Sequence, residues 1–155
     1  MSRNAVSIKH LKLACRHVDE MVRAGVTENH AIRILELFVD VYSKLYKGGS
    51  ATPHNAHQVK LWSIEAKKLQ RKSPKLKPKD CLVVEHGTPR RAFARKVLEL
   101  YKKKKLTEKS MNKLVNRYWM LAVITIEEDC RLNKIARTKM HASPMERWAA
   151  AEIKF

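Results

Sequence analysis

The sequence predicts a mainly α fold of the α+β kind, with about six or seven helices and one small two-stranded sheet in the C-terminal half. Three observations predict it. Apolar residues recur at helical spacing through most of the 155 residues. Ser or Thr followed by Pro, or by Glu three residues on, opens one segment after another. Two short runs, Cys81–Val84 and Leu121–Thr125, are apolar and β-branched instead.

Taken in order, a first helix over roughly 4–24 is closed by Gly25. The stretch 28–47 carries Ile32, Leu35, Phe38, Val39, Tyr42 and Tyr46 at helical spacing and ends at Gly48-Gly49. Thr52-Pro53 reads as an N-cap with proline at the first helical position, opening a third helix to about Lys72. The segment 73–80, SPKLKPKD, stops it. Cys81–Val84 is then a buried strand. Thr88-Pro89 opens a helix to about Lys105, and Thr107 a further one to about Trp119. Leu121–Thr125 is the second strand. Thr125-Ile126-Glu127-Glu128 has the form of a capping box and opens a helix through Arg137. Ser143-Pro144-Met145-Glu146 opens the last, to Ala151. The chain is expected to form one compact domain, 1–155. The only subdivision offered is a helical subdomain over 1–72, a basic Lys/Pro linker over 73–80 and a basic α/β-like half over 81–155.

Composition narrows the class. Hydrophobic content of 45% and charged content of 31% exclude wholesale disorder. No run of 18 apolar residues exists, so no spanning helix and no membrane partner are expected. The N-terminal residues lack the pattern of a secretory signal. Cys15, Cys81 and Cys130 form no CxxC pair, which fits reduced thiols and a cytoplasmic location.

The charge indicates the partner. Lys+Arg number 33 against 15 Asp+Glu, a net of +18. Residues 1–66 contribute +3, residues 67–80 contribute +6 and residues 81–155 contribute +9. The basic residues Arg90, Arg91, Arg95, Lys102, Lys103, Lys104, Lys105, Lys109, Lys113, Arg131 and Arg137 cluster with few acids between them. Arg91, Arg95 and Lys102 fall on one helix face. Release of counterions from a phosphate backbone is the economical reason for such an excess, so nucleic acid, DNA or RNA, is the expected partner. An acidic protein partner, such as an inhibitor, is the alternative. The lysine-rich turn between the helices 89–105 and 107–119 allows a helix-turn-helix, although it lacks a glycine.

One constellation suggests chemistry. Glu85 and His86 end the first strand, and Glu127, Glu128 and Asp129 follow the second. Parallel strands would bring both ends together, as at the carboxyl edge of an open α/β sheet. A histidine base, carboxylates holding Mg or Mn, and Arg90, Arg91 and Arg131 on phosphate would make a phosphodiesterase, for example a toxin or defence effector. A divalent metal is implied only on that reading.

Weaker motifs complete the survey. His54 and His57 are three apart, with no third ligand nearby. Arg23 and His30, with six residues between them, resemble the R-x4–6-H motif of the HEPN ribonuclease family; Gly25 and Thr27 interrupt the segment. There is no Walker loop, GxGxxG or GxSxG. Trp62, Trp119 and Trp148 are expected in the core. The sequence therefore predicts a small basic nucleic-acid-binding protein, with a nuclease and an acidic-partner module as the rivals.

Overall fold

The computed structural model describes residues 6–49, 56–75 and 77–155. Among them seven helices of seven or more residues are joined by one two-stranded antiparallel sheet in the C-terminal half, so the fold is mainly α. Contacts divide the chain into two units, Met1–Thr52 with Arg90–Arg117, and Pro53–Pro89 with Tyr118–Phe155. None of the three boundaries lies in the 73–80 segment; each unit is built from two separated stretches of chain.

The first unit is helical. α1 (Ile8–Arg23) starts at Ser7 and turns Leu11, Ala14, Cys15 and Val18 inward, the i, i+3, i+4, i+7 stripe of an amphipathic helix. The single turn α2 (Glu28–Ala31) runs almost without a break into α3 (Arg33–Tyr46), since Ile32 keeps helical dihedrals and its carbonyl accepts from the Glu36 N–H. α6 (Arg90–Lys102) buries Phe93, Ala94, Val97 and Leu98. The stripe is thus Phe93, Ala94, Val97 and Leu98, with Leu100 only half-buried. α7 (Glu108–Tyr118) contributes Met111 and Val115.

Three of the unit's helix ends share one device. After α1, α3 and α6 the residue beyond the cap adopts a left-handed conformation while two backbone N–H groups reach back to otherwise unpaired carbonyls. Gly25 and Gly48 supply that conformation after α1 and α3. After α6 it falls to Lys104, at φ 56°, with its N–H on the Tyr101 carbonyl at 2.8 Å and that of Lys105 on Leu100 at 2.8 Å.

The second unit is organised by the sheet. β1 (Leu82–His86) pairs with β2 (Leu121–Thr125), Leu82 opposite Thr125 and His86 opposite Leu121. Side chains alternate between faces along a strand. Accordingly Ala122 and Ile124 pack with Leu132, Ala136, Trp148, Ala151 and Ile153, whereas Leu121 and Val123 pack with Ala56, Val59, Ala66 and Leu82. Trp148 is fully buried, its ring centroid 4.9 Å from that of Phe155, and Trp62 and Trp119 pack partly buried on the other face.

The third helix differs from expectation. Thr52-Pro53 lies outside the described residues. Beyond it a short 3₁₀ turn (Ala56–Gln58) leads into an extended Leu61–Ser63 segment, which bonds to Val123 through the Val123 N–H on Leu61 and the Ser63 N–H on Val123. β2 therefore has a hydrogen-bonded neighbour on both sides at its centre, which accounts for its complete burial. α4 (Ile64–Lys72) starts only at Ser63, whose Oγ accepts from the Ala66 N–H. The one-turn α5 (Pro78–Cys81) precedes β1. α8 (Ile126–Ala136) and α9 (Pro144–Ala150) open at Thr125 and Ser143, as their start signals predict.

Candidate nucleic-acid interface

The strand-end constellation does not assemble. It required parallel strands, and the strands are antiparallel. Glu85 and His86 therefore sit at one end of the ladder and Thr125, with Glu127 to Asp129 beyond it, at the other. Four residues of strand separate the ends by about 14 Å. Glu85, Glu128 and Asp129 have local structural partners as well. Arg147, almost fully buried, donates from Nη1 to Glu85 Oε1 at 2.6 Å and to the His86 carbonyl at 2.9 Å, and from Nε to the Ala136 carbonyl at 3.1 Å. Glu128 Oε2 accepts from the Thr125 N–H at 2.8 Å and from Ser63 Oγ at 2.6 Å, fastening the start of α8 to that of α4. Asp129 accepts from Asn133 one turn on, and Glu127 is exposed.

Gly87 has a packing role too. A Cβ there would stand 2.3 Å from Pro144 Cβ, so the close approach it permits is that of α9 rather than of a substrate. Among the described residues no three of His, Cys, Asp and Glu converge in a way that could hold a metal ion. His54 lies outside those residues. His30 Nδ1 is 2.9 Å from Thr27 Oγ1, and Arg23 ends α1 before the Gly25 turn, so the two occupy different helices.

The basic clusters sort into two kinds. In the first unit 19 Lys+Arg stand against 7 Asp+Glu, compared with 14 against 8 in the second, and 90–117 alone holds 11 against Glu99 and Glu108. On α6 the predicted outward face is largely neutralised. Arg91 pairs with Glu36 of α3 at 2.6 Å, Arg95 with Glu28 of α2 at 2.8 Å and with Asn29, and Lys102 with Asp19 of α1 at 3.6 Å. Lys103 and Lys96 flank Glu99 and hold its carboxyl below the usual range. The expectation of few acidic partners fails here because those partners come from distant stretches of the chain.

On α7 the cations have a different setting. Asn112 accepts from the Tyr42 hydroxyl at 2.8 Å, and Asn116 donates to the Tyr46 hydroxyl at 3.0 Å while accepting from Lys47 Nζ at 2.8 Å. Glu108, on the same stripe, adds to the burial that raises the Tyr42 pKa. This polar stripe is anchored on α3, and Met111 and Val115 are buried beside it. At 100° per residue Lys109, Lys113 and Arg117 then point directly away from the buried stripe, and all three are exposed. Lys104 and Lys105, in the turn before α7, are exposed as well. Among the described residues Arg90, Lys104, Lys105, Lys109 and Lys113 make no ion pair.

Lys47, beside Asn116, joins this surface from α3. Its position is not visible in sequence, where it precedes Gly48-Gly49 as an ordinary helix-terminal lysine. The remaining predicted residues belong to the second unit. Arg131 donates from Nε to the Ala151 carbonyl at 3.2 Å, and Arg137 caps α8 and is exposed. No helix among the described residues is long and apolar enough to cross a membrane. Compared with protein-family models, with curated proteins and with solved structures, the chain matches none.

Proposed function

We propose that the protein binds nucleic acid through backbone phosphates, using Lys104, Lys105, Lys109, Lys113 and Arg117 of the first unit with Lys47 at their margin. One observation carries the reading. The outward stripe of α7 is wholly cationic and its Lys109 and Lys113 make no ion pair among the described residues, while Arg91, Arg95 and Lys102 of neighbouring α6 are matched by carboxylates from α3, α2 and α1. A stripe kept for solubility would mix signs. One of a single sign, spaced by four along a helix, suits a polyanion with regularly spaced charges. Arg131 and Arg137 are secondary contributors. The free thiols fit a reducing compartment, which favours the cytoplasm.

The test is fluorescence anisotropy with labelled single- and double-stranded DNA and RNA across a several-fold range of salt. Affinity should fall steeply with salt. Replacing Lys109, Lys113 and Arg117 together by Ser should lower the slope of log K against log salt by roughly 2 to 3. Absence of binding to all four ligands would overturn the reading and turn attention to an acidic protein. An unchanged slope in the triple variant would remove α7 from the interface.

A further inference from the structure

A cavity of about 430 Å³ opens in the first unit, lined by Lys12, Asp19, Tyr101, Lys102, Lys104 and Leu106. Three lysines line it from two separate elements, α1 and the end of α6 with its following turn. Asp19 is the one carboxylate among them, 3.6 Å from Lys102. Lys12 and Lys104 make no ion pair among the described residues. Converging like charges in a hollow repel one another and focus a positive potential that an anion relieves.

Two features make this more than a charged dent. Lys104 occupies its place through the left-handed turn conformation that glycine fills at the equivalent points after α1 and α3. The walls are also partly apolar. Tyr101 is half-buried, whereas Leu106 at 2% exposed offers almost no surface, so a small inorganic anion would satisfy the lysines and leave the tyrosine uncovered. A ligand with a phosphate at one end and a flat, largely apolar body at the other satisfies both, and the volume is of the size that holds one.

We infer that this cavity takes a nucleoside monophosphate unit, its phosphate held by Lys12, Lys102 and Lys104 and its nucleoside against Tyr101. The unit is either a free mononucleotide or the phosphorylated end of a strand; only the second source rests on the function proposed above.

Binding of inorganic phosphate, AMP, UMP and adenosine to the full-length protein, measured by calorimetry, tests the pocket. A short oligonucleotide with a 5′-phosphate, a 3′-phosphate or neither, measured by competition, tests the source. The monophosphates should bind at least about tenfold tighter than either phosphate or adenosine, because only they use both walls. Lys12→Ser and Lys104→Gly should each weaken them about fivefold or more, and Asp19→Asn should tighten them. A terminal phosphate that strengthens strand binding, with the gain lost in Lys12→Ser, would identify a strand end. Monophosphate binding with no effect of the strand's terminus would identify a free nucleotide.

The inference is overturned if neither the monophosphates nor a terminal phosphate bind better than their unphosphorylated counterparts, or if both lysine variants bind as the parent does. Strand binding that depends on Lys109 and Lys113 but ignores the terminal phosphate, without monophosphate binding, would remove the pocket and leave the proposed function standing. Monophosphate binding without strand binding would do the reverse.

Discussion

Arg91 Nε lies 2.6 Å from Glu36 Oε1, joining α6 to α3, and this pair governs how much of α6's charge faces outward. Glu36 is mostly buried and Arg91 about a third exposed, so the carboxylate holds the guanidinium against the helix. Glu36→Gln removes the charge and keeps the shape. Stability should fall by about 1 kcal/mol, read from chemical denaturation. The released guanidinium should steepen the salt dependence of nucleic-acid binding by up to about 1 in slope. Arg91→Ala should lower stability similarly with no change in slope. If Arg91→Ala flattens the slope instead, the arginine already contacts phosphate and the pair does not neutralise it.

Lys104 separates stability from binding. A residue with a Cβ at φ 56° is disfavoured by roughly 1 kcal/mol relative to glycine, so Lys104→Gly should raise the unfolding free energy by about that much. The same change removes a cation from the α6–α7 turn and should weaken nucleic-acid binding. Glu152, at φ 58° after α9, offers the control: Glu152→Gly should stabilise comparably and leave binding unchanged. A variant at 104 that is stabilised and binds as tightly as the parent would show that its ammonium does not reach the ligand.

Local signals carried most of the fold. Gly25, Gly48, Ser143 and the Thr125–Glu128 box mark helix ends where the structure has them, because a cap is decided by residues within one turn of it. Ser63 was hidden by the stronger Thr52-Pro53 signal, and by a Leu61–Ser63 segment whose extended form depends on Val123, some sixty residues away. Strand direction was not legible at all. Leu82–His86 and Leu121–Thr125 suit either pairing, and direction alone decided whether His86 and Glu128 would meet. The candidate interface was half legible for the same reason. The basic residues are plain in the sequence, but the acids that neutralise Arg91, Arg95 and Lys102 lie 55 to 83 positions upstream and are found only in space. The α7 stripe survives because what distinguishes it, spacing by four opposite Met111 and Val115, is local.

The Glu85–Gly87 segment should behave as scaffold. Gly87→Ala forces Pro144 away from a Cβ that would otherwise stand 2.3 Å from its own, and should cost about 1–3 kcal/mol. Arg147→Met leaves Glu85 without its charged partner and three hydrogen bonds unmade, and should cost about 3–5 kcal/mol. Thermal unfolding checks both. Activity or binding lost in a Gly87→Ala protein of unchanged Tm would make this segment functional rather than structural.

Cys15 makes the first unit sensitive to alkali. The thiol is completely buried on α1. Burial first, and then the neighbouring Asp19 carboxylate, push its pKa up to about 12, against a partial opposing effect of Lys102. An acid whose pKa is higher when folded than when unfolded favours the folded state while it remains protonated in both. That contribution is intact below about pH 9 and is lost as pH rises towards 12, since the unfolded thiol ionises first and draws the equilibrium with it. Stability should therefore decline across this interval, and Cys15→Ala should make the decline shallower while lowering stability near neutrality through the small cavity it leaves. Thiol labelling checks the same burial independently. In the folded protein at mildly alkaline pH the exposed Cys130 should react with Ellman's reagent at once and Cys15 only on unfolding. Rapid reaction of Cys15 in the folded state would mean that α1 opens without global unfolding, and the alkaline decline would then need another source.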